Sequence, residues 1–149
     1  MALTVGTSAP DFTLTATSLG SITLSKDLAG KSVVLYFYPK DFTPGCTTEA
    51  CEFRDQFAAF RDLDIPVFGI SRDSLATHEK FKKTHRLPFE LLADESGKVC
   101  KAYDVLLPLI KMPTRVTYLL DSNHQIAGVF QGLFENKAHV SAMLKQLQG

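Results

Sequence analysis

The sequence lacks the features that mark several classes of protein. It has three cysteines in 149 residues, an odd number and too few for a disulfide-stapled scaffold. Its 16 acidic side chains balance 16 basic ones, so no surplus of positive charge suggests nucleic acid or an anionic membrane surface as a partner. No apolar run approaches the roughly 20 residues of a membrane span, and the first residues lack the pattern of a signal peptide. We therefore expect a cytoplasmic protein that does not bind membranes.

Repeats, low-complexity segments and linkers are also missing from the chain. A length of 149 residues suits one domain with a sizeable core, so we predict a single domain over residues 1–149. A metal site is disfavoured, because no two cysteines have zinc-knuckle spacing and the histidines are scattered. His78 and His85 lie on one predicted helix face, where core packing or a solvated edge is a more common role than ligation.

What is present is an alternation of strand-like and helix-like segments. Apolar and polar residues alternate over residues 12–16 and again over 22–24, which predicts an N-terminal hairpin. A continuous apolar run over residues 32–38 predicts a central strand buried on both faces, and Pro39 ends it. Further helices are predicted over residues 44–62, 74–86, 96–103 and 136–147, and further strands over residues 65–71, 89–93, 115–120 and 126–131. This order predicts an α/β fold, with a mixed sheet and helices on both faces.

One cysteine lies at the start of the helix predicted over residues 44–62. With Thr43 as the N-cap, Pro44 takes the first helical position, which suits it best, and Gly45 and Cys46 take the next two. We expect the Thr43 hydroxyl to accept a hydrogen bond from the N–H of Gly45 or Cys46. The helix dipole favours an anion in the first turn, so Cys46 is predicted to act as a thiolate nucleophile.

The second cysteine, Cys51, follows at a spacing that an intact helix cannot close. An apolar stripe from Cys46 through Phe53 to Phe60 faces inward, and Cys51 lies off it. Five residues of helix separate the Cα atoms by about 8–9 Å, beyond the roughly 7 Å that a disulfide allows. A bond would require the first turn or two to unwind, giving a folded reduced form and a locally unfolded oxidised form. The alternative is two small buried apolar side chains.

The segment from Pro39 to Cys46 (Pro-Lys-Asp-Phe-Thr-Pro-Gly-Cys) resembles the active-site signature of the peroxiredoxins, in which proline, threonine and the peroxidatic cysteine recur at these offsets. The continuation to Cys51 resembles the bacterioferritin comigratory protein subfamily, also called PrxQ, in which the resolving cysteine lies five residues after the peroxidatic one. The resemblance runs from Ala9 to the C-terminal helix. It implies a thioredoxin-like fold with an N-terminal hairpin.

The same resemblance implies roles for residues around the cysteines. The family's arginine falls on Arg115, whose several donors would stabilise the thiolate and the leaving oxygen; the alternative is a surface ion pair. Thr43 offers a hydroxyl, and Pro39 would limit access of water. Glu49 either orients Arg115 or is a favourable early-helix carboxylate, and Phe42 is a candidate for an apolar wall. The implied substrate-binding set is Phe42, Thr43, Gly45, Cys46, Glu49 and Arg115.

By this resemblance the chain is an atypical 2-Cys peroxidase for hydrogen peroxide and alkyl hydroperoxides. The Cys46 thiolate becomes a sulfenic acid, Cys51 condenses with it to a disulfide, and thioredoxin or glutaredoxin restores the thiols. No metal, haem or flavin is needed, so we expect no cofactor. The subfamily resemblance favours a monomer.

Two other hypotheses share part of this chemistry. A disulfide oxidoreductase of thioredoxin type would need a Cys-x-x-Cys pair, which the chain lacks, although Pro113-Thr114 resembles the proline–threonine step of thioredoxins. A redox sensor would use the same oxidation without turnover. Cys100 is expected to be a buried structural thiol rather than a redox group. The apolar segment over residues 105–112 is expected to be largely core; any part exposed beside the site would accept an organic tail or a partner surface.

Overall fold

The computed structural model describes residues 2–18, 20–131, 143, 145 and 146. Seven strands in this part of the chain form one sheet: β1 (Thr13–Ala16), β2 (Gly20–Thr23), β3 (Val33–Phe37), β4 (Val67–Ser71), β5 (Glu90–Ala93), β6 (Val116–Leu120) and β7 (Ile126–Gln131). Their order across the sheet is β2-β1-β5-β4-β3-β6-β7. The β3–β4 and β4–β5 pairs are parallel and the others antiparallel, which confirms the predicted mixed sheet and both hairpins.

Five helices lie in the described residues: α1 (Leu24–Asp27), α2 (Pro44–Asp55), α3 (Phe57–Asp62), α4 (Leu75–His85) and α5 (Lys98–Ala102). Helix α4 starts where predicted, because Ser74 Oγ accepts a hydrogen bond from the Thr77 N–H at 3.2 Å. It ends at His85, and the next residue, Arg86, adopts a left-handed φ of 52°. Among these helices none has the length and apolar character that crossing a bilayer requires.

Alternate residues of the central strands pack into two apolar cores, one on each face of the sheet. On one face Tyr36 of β3 packs in a cluster with Phe53 of α2 and Phe81 of α4. On the other, Leu35 of β3 packs in a cluster with Cys100 of α5. Every residue of β3 is buried, as its continuous apolar run predicted. Helices cover both faces, which confirms the α/β class.

The topology brings three chain segments to one edge of the sheet. Strands β3 and β4 are parallel, so their carboxyl ends lie together. Strand β6 runs antiparallel to β3, with Val116 opposite Phe37, so its amino end lies at the same edge. The turn that leads from β3 into α2 therefore lies beside Arg115, the residue that precedes β6.

The single helix predicted over residues 44–62 is in fact two helices. Gln56, with φ −105° and ψ 11°, separates α2 from α3. The prediction was wrong because neither proline nor glycine marks the break and the apolar stripe continues across it. Phe53 and Phe60 are both buried, whereas Phe57 is only partly buried. The break ends α2 shortly after Cys51.

The segment over residues 105–112 is more exposed than predicted. Val105 is buried, but Leu109 and Ile110 are 94% and 64% exposed. The Lys111 N–H donates to the Leu107 carbonyl at 2.9 Å and closes a turn. This turn is too tight for the side chains on both of its faces to be buried. A core position for most of this segment was therefore a wrong prediction. The helix predicted over residues 136–147 lies outside the described residues, apart from three isolated positions.

Candidate active site

The turn between β3 and α2 is held by buried polar groups. Phe42 has a positive φ of 63°, which reverses the chain just before the helix. The Tyr38 hydroxyl donates to Asp41 Oδ1 at 2.5 Å, and the Asp41 N–H donates to Asp73 Oδ2 at 2.9 Å. His78 Nδ1 lies 2.6 Å from Asp41 Oδ2. These contacts fix the position at which α2 begins.

The Asp41–His78 contact is a feature that sequence reasoning missed. Both side chains are buried, and His78 Nε2 also lies 3.1 Å from the Leu92 carbonyl. A histidine on the buried face of a predicted helix needs a polar partner, which was the one available signal. Nothing local identifies Asp41 as that partner, because it lies 37 residues earlier in the chain.

Asp41 and His78, together with Asp73, are also close enough in space to hold a metal ion. Their polar atoms already contact one another: His78 bonds to Asp41, and Asp73 accepts from the Asp41 N–H and the Ser71 hydroxyl. These contacts explain why the three side chains lie together, because they form a clamp that holds the turn between β3 and α2 in place. The expectation that the protein binds no metal stays a prediction.

Thr43 starts α2, but its hydroxyl does not cap the helix as predicted. Its backbone is extended at φ −94° and ψ 150°, Pro44 takes the first helical position, and the Thr43 carbonyl accepts from the Thr47 N–H at 2.9 Å. The Thr43 Oγ1 hydroxyl instead donates to the Lys40 carbonyl at 2.7 Å. The reversal of the chain at Phe42 brings the Lys40 carbonyl within reach of Thr43. The carbonyl oxygen then accepts the one hydrogen bond that the Thr43 hydroxyl can donate. The oxygen of Thr43 keeps acceptor capacity.

Cys46 and Arg115 meet at the centre of the site. Cys46 lies in the first turn of α2 and is 1% exposed, so its predicted inward orientation is confirmed. Arg115 Nη2 donates to Cys46 Sγ at 3.3 Å. The guanidinium and the start of α2 thus place hydrogen-bond donors and positive charge around this sulfur. The predicted placement of Arg115 beside this helix start is confirmed, and a surface ion pair is excluded for it.

Glu49 holds the other side of the guanidinium. Arg115 Nη1 donates to Glu49 Oε1 at 2.8 Å, and Glu49 is fully buried one turn after Cys46. Burial raises the pKa of Glu49 to about 7, although the charge of Arg115 partly offsets this. Burial alone would lower the pKa of Arg115, but Glu49 and Cys46 outweigh it and raise that pKa. Of the two roles considered for Glu49, the contact matches orientation of Arg115.

The raised pKa of Glu49 predicts a distinctive pH dependence of stability. The folded protein binds the Glu49 proton more tightly than the unfolded chain, where the ordinary value is 4.5. Between about pH 4.5 and about 7 the free energy of unfolding should therefore fall with rising pH, by about 1.4 kcal/mol per unit from this group. Glu49→Gln should remove that slope. Urea titrations of both proteins from pH 5 to 8 test this, and parallel curves would contradict it.

Gly45 lets Arg115 approach the helix start. A Cβ on Gly45 would lie 2.9 Å from Arg115 Nη2, closer than side-chain carbons come to their neighbours. The same nitrogen donates to Cys46 Sγ. The absence of a side chain at position 45 is thus a requirement of the Cys46–Arg115 contact. Its predicted place in the substrate-binding set stays a prediction.

Gly45→Ala should impair the site with little effect on the fold. The guanidinium must move away from the added methyl group, and a shift of about 1 Å at a catalytic group costs on the order of 10- to 100-fold in rate. We expect that loss in the rate of Cys46 oxidation by peroxide, measured by rapid mixing and trapping of the sulfenate. Gly128→Ala is the control, because a methyl group there would meet Phe130 and Gln146 rather than Arg115. An unchanged rate in Gly45→Ala would contradict the expectation.

Cys51 lies outside this centre. It is half-buried, no disulfide joins it to Cys46, and its sulfur faces the imidazole of His85 at 3.9 Å from Nδ1. Residues 46–51 are continuous helix, as predicted for the reduced form. Cys100 is buried near Asp94, and burial raises the pKa of its thiol, so it has the surroundings predicted for a structural cysteine.

Phe42 and Pro39 flank the turn. The Phe42 ring is 45% exposed and contacts Phe81 edge-on, with ring centroids 5.0 Å apart. It also lies beside His85, at 6.2 Å. Pro39 is partly buried directly after β3. The structure thus brings the predicted residues to one edge of the sheet, while a shielding role for Pro39 and a wall role for Phe42 stay predictions.

A buried cysteine in the first turn of α2 accepts a hydrogen bond from the arginine that precedes β6. This arrangement, in an α/β fold with a mixed sheet, defines a thiol-based redox protein. Comparison with known proteins agrees with this class. The AhpC/TSA family pattern matches residues 5–129. The chain belongs to the AhpC/TSA family and, by its relatives, to the peroxiredoxins of the Bcp/PrxQ type. The resemblance seen in the sequence is confirmed.

Two curated relatives and two solved structures illustrate the similarity. Peroxiredoxin Q, chloroplastic, of Oryza sativa subsp. japonica is 44% identical over 144 residues, which cover 96% of this chain and 66% of that protein. Peroxiredoxin Bcp of Bacillus subtilis is 50% identical over 105 residues, 70% of this chain and 66% of that protein. The chain thus spans just under two thirds of the length of each of these two relatives.

The structure of peroxidoxin BcpB from Mycobacterium tuberculosis aligns with a TM-score of 0.91 and 34% identity, over 98% of this chain and 97% of that one. Bacterioferritin comigratory protein of Xanthomonas campestris, described in connection with alkyl peroxide reduction, aligns with a TM-score of 0.85 and 30% identity, over 92% and 90%. These alignments confirm the thioredoxin-like, peroxiredoxin-type fold.

Proposed function

We propose that the chain is a thiol-dependent peroxidase that reduces hydrogen peroxide and organic hydroperoxides at Cys46. One observation carries the proposal: the buried Cys46 sulfur lies 3.3 Å from Arg115 Nη2 at the start of α2. A cysteine that served only to fill the core would gain nothing from a buried guanidinium, whose desolvation is costly. The peroxiredoxin names of the relatives support the same activity.

The proposed reaction is an attack of the Cys46 thiolate on the terminal oxygen of a hydroperoxide. The S–O bond forms while the O–O bond breaks, and the leaving alkoxide takes up a proton to become an alcohol or water. Negative charge builds on the leaving oxygen, so the fixed N–H donors of Arg115 stabilise the transition state more than the ground state. Thr43 Oγ1 accepts a hydrogen bond from the hydroperoxide O–H, because its own O–H donates to the Lys40 carbonyl.

The resolving step is proposed to join Cys51 to the Cys46 sulfenic acid. Cys46 faces inward and Cys51 faces His85, so the two sulfurs cannot bond while α2 is intact. The first turn of α2 therefore unwinds and carries Cys46 towards Cys51. Unwinding this turn breaks no side-chain cap, because the Thr43 hydroxyl donates to the Lys40 carbonyl instead of capping the helix.

The disulfide is proposed to be reduced by thioredoxin or glutaredoxin through thiol–disulfide exchange. Local unwinding carries Cys46 out of its buried position, where it is 1% exposed, to the half-buried Cys51, so the disulfide forms where such a partner can reach it. We propose that the protein works as a monomer in the cytoplasm and needs no cofactor, since both sulfurs and the arginine come from one chain.

A coupled assay tests the proposal. Peroxide is added with thioredoxin, its reductase and NADPH, and NADPH loss is followed in the wild type, in Cys46→Ser and in Cys100→Ala as the matched control. We expect turnover in the wild type and in Cys100→Ala, and none in Cys46→Ser. Turnover that persists in Cys46→Ser would overturn the assignment. The assay is repeated with glutaredoxin as the reductant. If the wild type is oxidised once, quickly, but turns over with neither reductant, the result would favour a redox sensor instead.

The exposed apolar turn over residues 105–112 is proposed to favour organic over inorganic hydroperoxides. The Thr114 N–H donates to the Val105 carbonyl at 2.7 Å, so this turn joins the chain directly before Arg115. A groove of about 630 Å³ beside it has apolar side chains on one part, Leu106, Leu107 and Pro108, and polar or charged ones on the rest, including Arg72, Lys98, Lys101, Asp104 and Lys111. Such a surface can receive the organic tail of a substrate.

Leu107→Ser tests this preference. Loss of one leucine contact of about 1–2 kcal/mol should lower kcat/KM for cumene hydroperoxide about 5- to 30-fold and leave hydrogen peroxide unaffected. Leu63→Ser is the matched control, because Leu63 is 39% exposed and Leu107 is 38% exposed. If kcat/KM changed equally for the two substrates in Leu107→Ser, so that the ratio of the two values stayed as in the wild type, the preference would be contradicted.

A further inference from the structure

The contact between Cys51 and His85 has no role in the mechanism so far. His85 is the last residue of α4, and its Nδ1 lies 3.9 Å from Cys51 Sγ. For a sulfur donor this distance permits an S–H···N hydrogen bond. A cysteine that must attack another sulfur thus has a titratable side chain directed at its thiol.

A second contact keeps Cys51 and His85 together, and this contact does not involve the first turn of α2. Arg54 Nη1 donates to the His85 carbonyl at 2.9 Å, which ties α2 to the end of α4 just after Cys51. Unwinding of the first turn of α2 leaves that tie intact. Cys51 therefore stays beside His85 while Cys46 moves, and the contact persists at the moment when the disulfide forms.

We propose that His85 is the general base that deprotonates Cys51 in the resolving step. The inference rests on the proposed role of Cys51 as the resolving cysteine. His85 Nδ1 takes the proton of the Cys51 thiol, and the Cys51 thiolate attacks the sulfur of the Cys46 sulfenic acid. Cys51 supplies the electron pair of the new S–S bond, the S–O pair leaves with hydroxide, and the imidazolium returns its proton to give water.

The surroundings of the imidazole suit this role. The groups of α2 that face it are Cys51 and Arg54, and the charge of Arg54 is shared with Asp55, 2.9 Å from its Nε. The aromatic rings that pack beside it in the described residues are those of Phe42 and Phe81, which are uncharged. Acceptance at Nδ1 requires the neutral tautomer with its proton on Nε2. Among the described residues no carboxylate is bonded to this ring, so none competes with the Cys51 thiol for Nδ1.

The size of the effect follows from the ionisation of thiols. An ordinary thiol is only a few per cent thiolate at neutral pH, so a base beside it can raise the thiolate supply by at most about 30-fold at pH 7. The advantage shrinks as solvent hydroxide ionises the thiol and disappears above about pH 9. If His85 is a base, its replacement should slow disulfide formation by a factor that depends on pH. If the contact is purely structural, that factor should not depend on pH.

The experiment separates oxidation from resolution in His85→Gln. One equivalent of hydrogen peroxide is mixed rapidly with reduced protein, and mass spectrometry after quenching follows the Cys46 sulfenate and the Cys46–Cys51 disulfide from pH 6 to 9.5. Lys83→Gln, an exposed change on the same helix, is the matched control. We expect sulfenate formation at the wild-type rate, disulfide formation about tenfold slower at pH 7, and convergence of the rates above about pH 9.

Three results would overturn the inference in distinguishable ways. Disulfide formation at the wild-type rate at pH 7, or a defect equally large at pH 9.5, would remove the base role and leave the peroxidase intact. A wild type that forms sulfenate but no Cys46–Cys51 disulfide would overturn the resolving step itself. A wild type that forms no sulfenate would overturn the proposed function. Added imidazole should accelerate disulfide formation in His85→Ala, and no acceleration there would count against a proton-transfer role.

Discussion

Arg115→Lys is expected to slow the oxidation of Cys46 by about 100- to 1,000-fold, the effect of removing one fixed donor from an oxyanion site. Arg115 donates to Cys46 Sγ with one nitrogen and to Glu49 Oε1 with another. The planar guanidinium makes both contacts at a fixed angle, and a lysine ammonium is a single point on a flexible stem. Lysine keeps the positive charge, so the loss measures the geometry of the donors rather than the charge alone.

The measurement is the pseudo-first-order rate at which the Cys46 sulfenate appears after rapid mixing with hydrogen peroxide at pH 7.5. Arg72→Lys is the matched control, since Arg72 lies at the same sheet edge but donates to the carbonyls of Glu95 and Lys111. We expect Arg72→Lys to react at the wild-type rate. A rate in Arg115→Lys within threefold of the wild type would contradict the proposed role.

The stability of the Arg115 variants must be read together with Glu49. Glu49 is fully buried, so any variant that removes the guanidinium leaves an unpaired carboxyl group in the core. Such a carboxyl is easier to accommodate when protonated. Arg115→Met also removes the charge that lowers the pKa of Glu49, so the stability of this variant should keep falling as the pH rises past about 7, the pKa in the intact pair. The Arg115→Met, Glu49→Gln double variant removes that cost and isolates the loss of activity from the loss of stability.

The elements that local patterns determine were predictable. β3 is a continuous apolar run and is buried on both faces. Both hairpins follow from alternation around turn residues, and α4 follows from the Ser74 cap. Cys46 was placed on the inward side of α2 by helix periodicity alone. In each case the residues that determine the element lie within one helical turn or one hairpin of each other. A short stretch of sequence is therefore enough to predict it.

The parts that depend on distant contacts were not predictable from local patterns. Arg115 lies 69 residues after Cys46, and only the family resemblance brought the two together before the fold was known. The Asp41–His78 clamp and the Cys51–His85 contact join segments that no periodic pattern connects. The break at Gln56 has no local breaker, and Thr43 turned its hydroxyl to Lys40 because the preceding residue adopts a positive φ.

Cys51→Ser is expected to abolish steady-state turnover with thioredoxin while leaving the first oxidation of Cys46 at the wild-type rate. The reacting centre around Cys46 does not include Cys51, whose sulfur faces His85 instead. The sulfenate would then have no neighbouring thiol to condense with, and excess peroxide would carry it to the sulfinic acid. Mass spectrometry should show two added oxygens on Cys46 in Cys51→Ser, and loss of two hydrogens in the wild type.

The same pair of proteins tests the unwinding that the resolving step requires. An intact helix keeps the Cα atoms of Cys46 and Cys51 about 8–9 Å apart, so a disulfide between them must expose the backbone N–H groups of the first turn. Hydrogen exchange at residues 44–51 should accelerate in the oxidised wild type and stay slow in peroxide-treated Cys51→Ser, while β3 stays protected in both. Because Arg54 ties α2 to the His85 carbonyl, the loss of protection should stop near Cys51. Unchanged exchange in a wild type that carries the Cys46–Cys51 disulfide would contradict local unwinding, and exchange that accelerates throughout α2 would contradict the tie at Arg54.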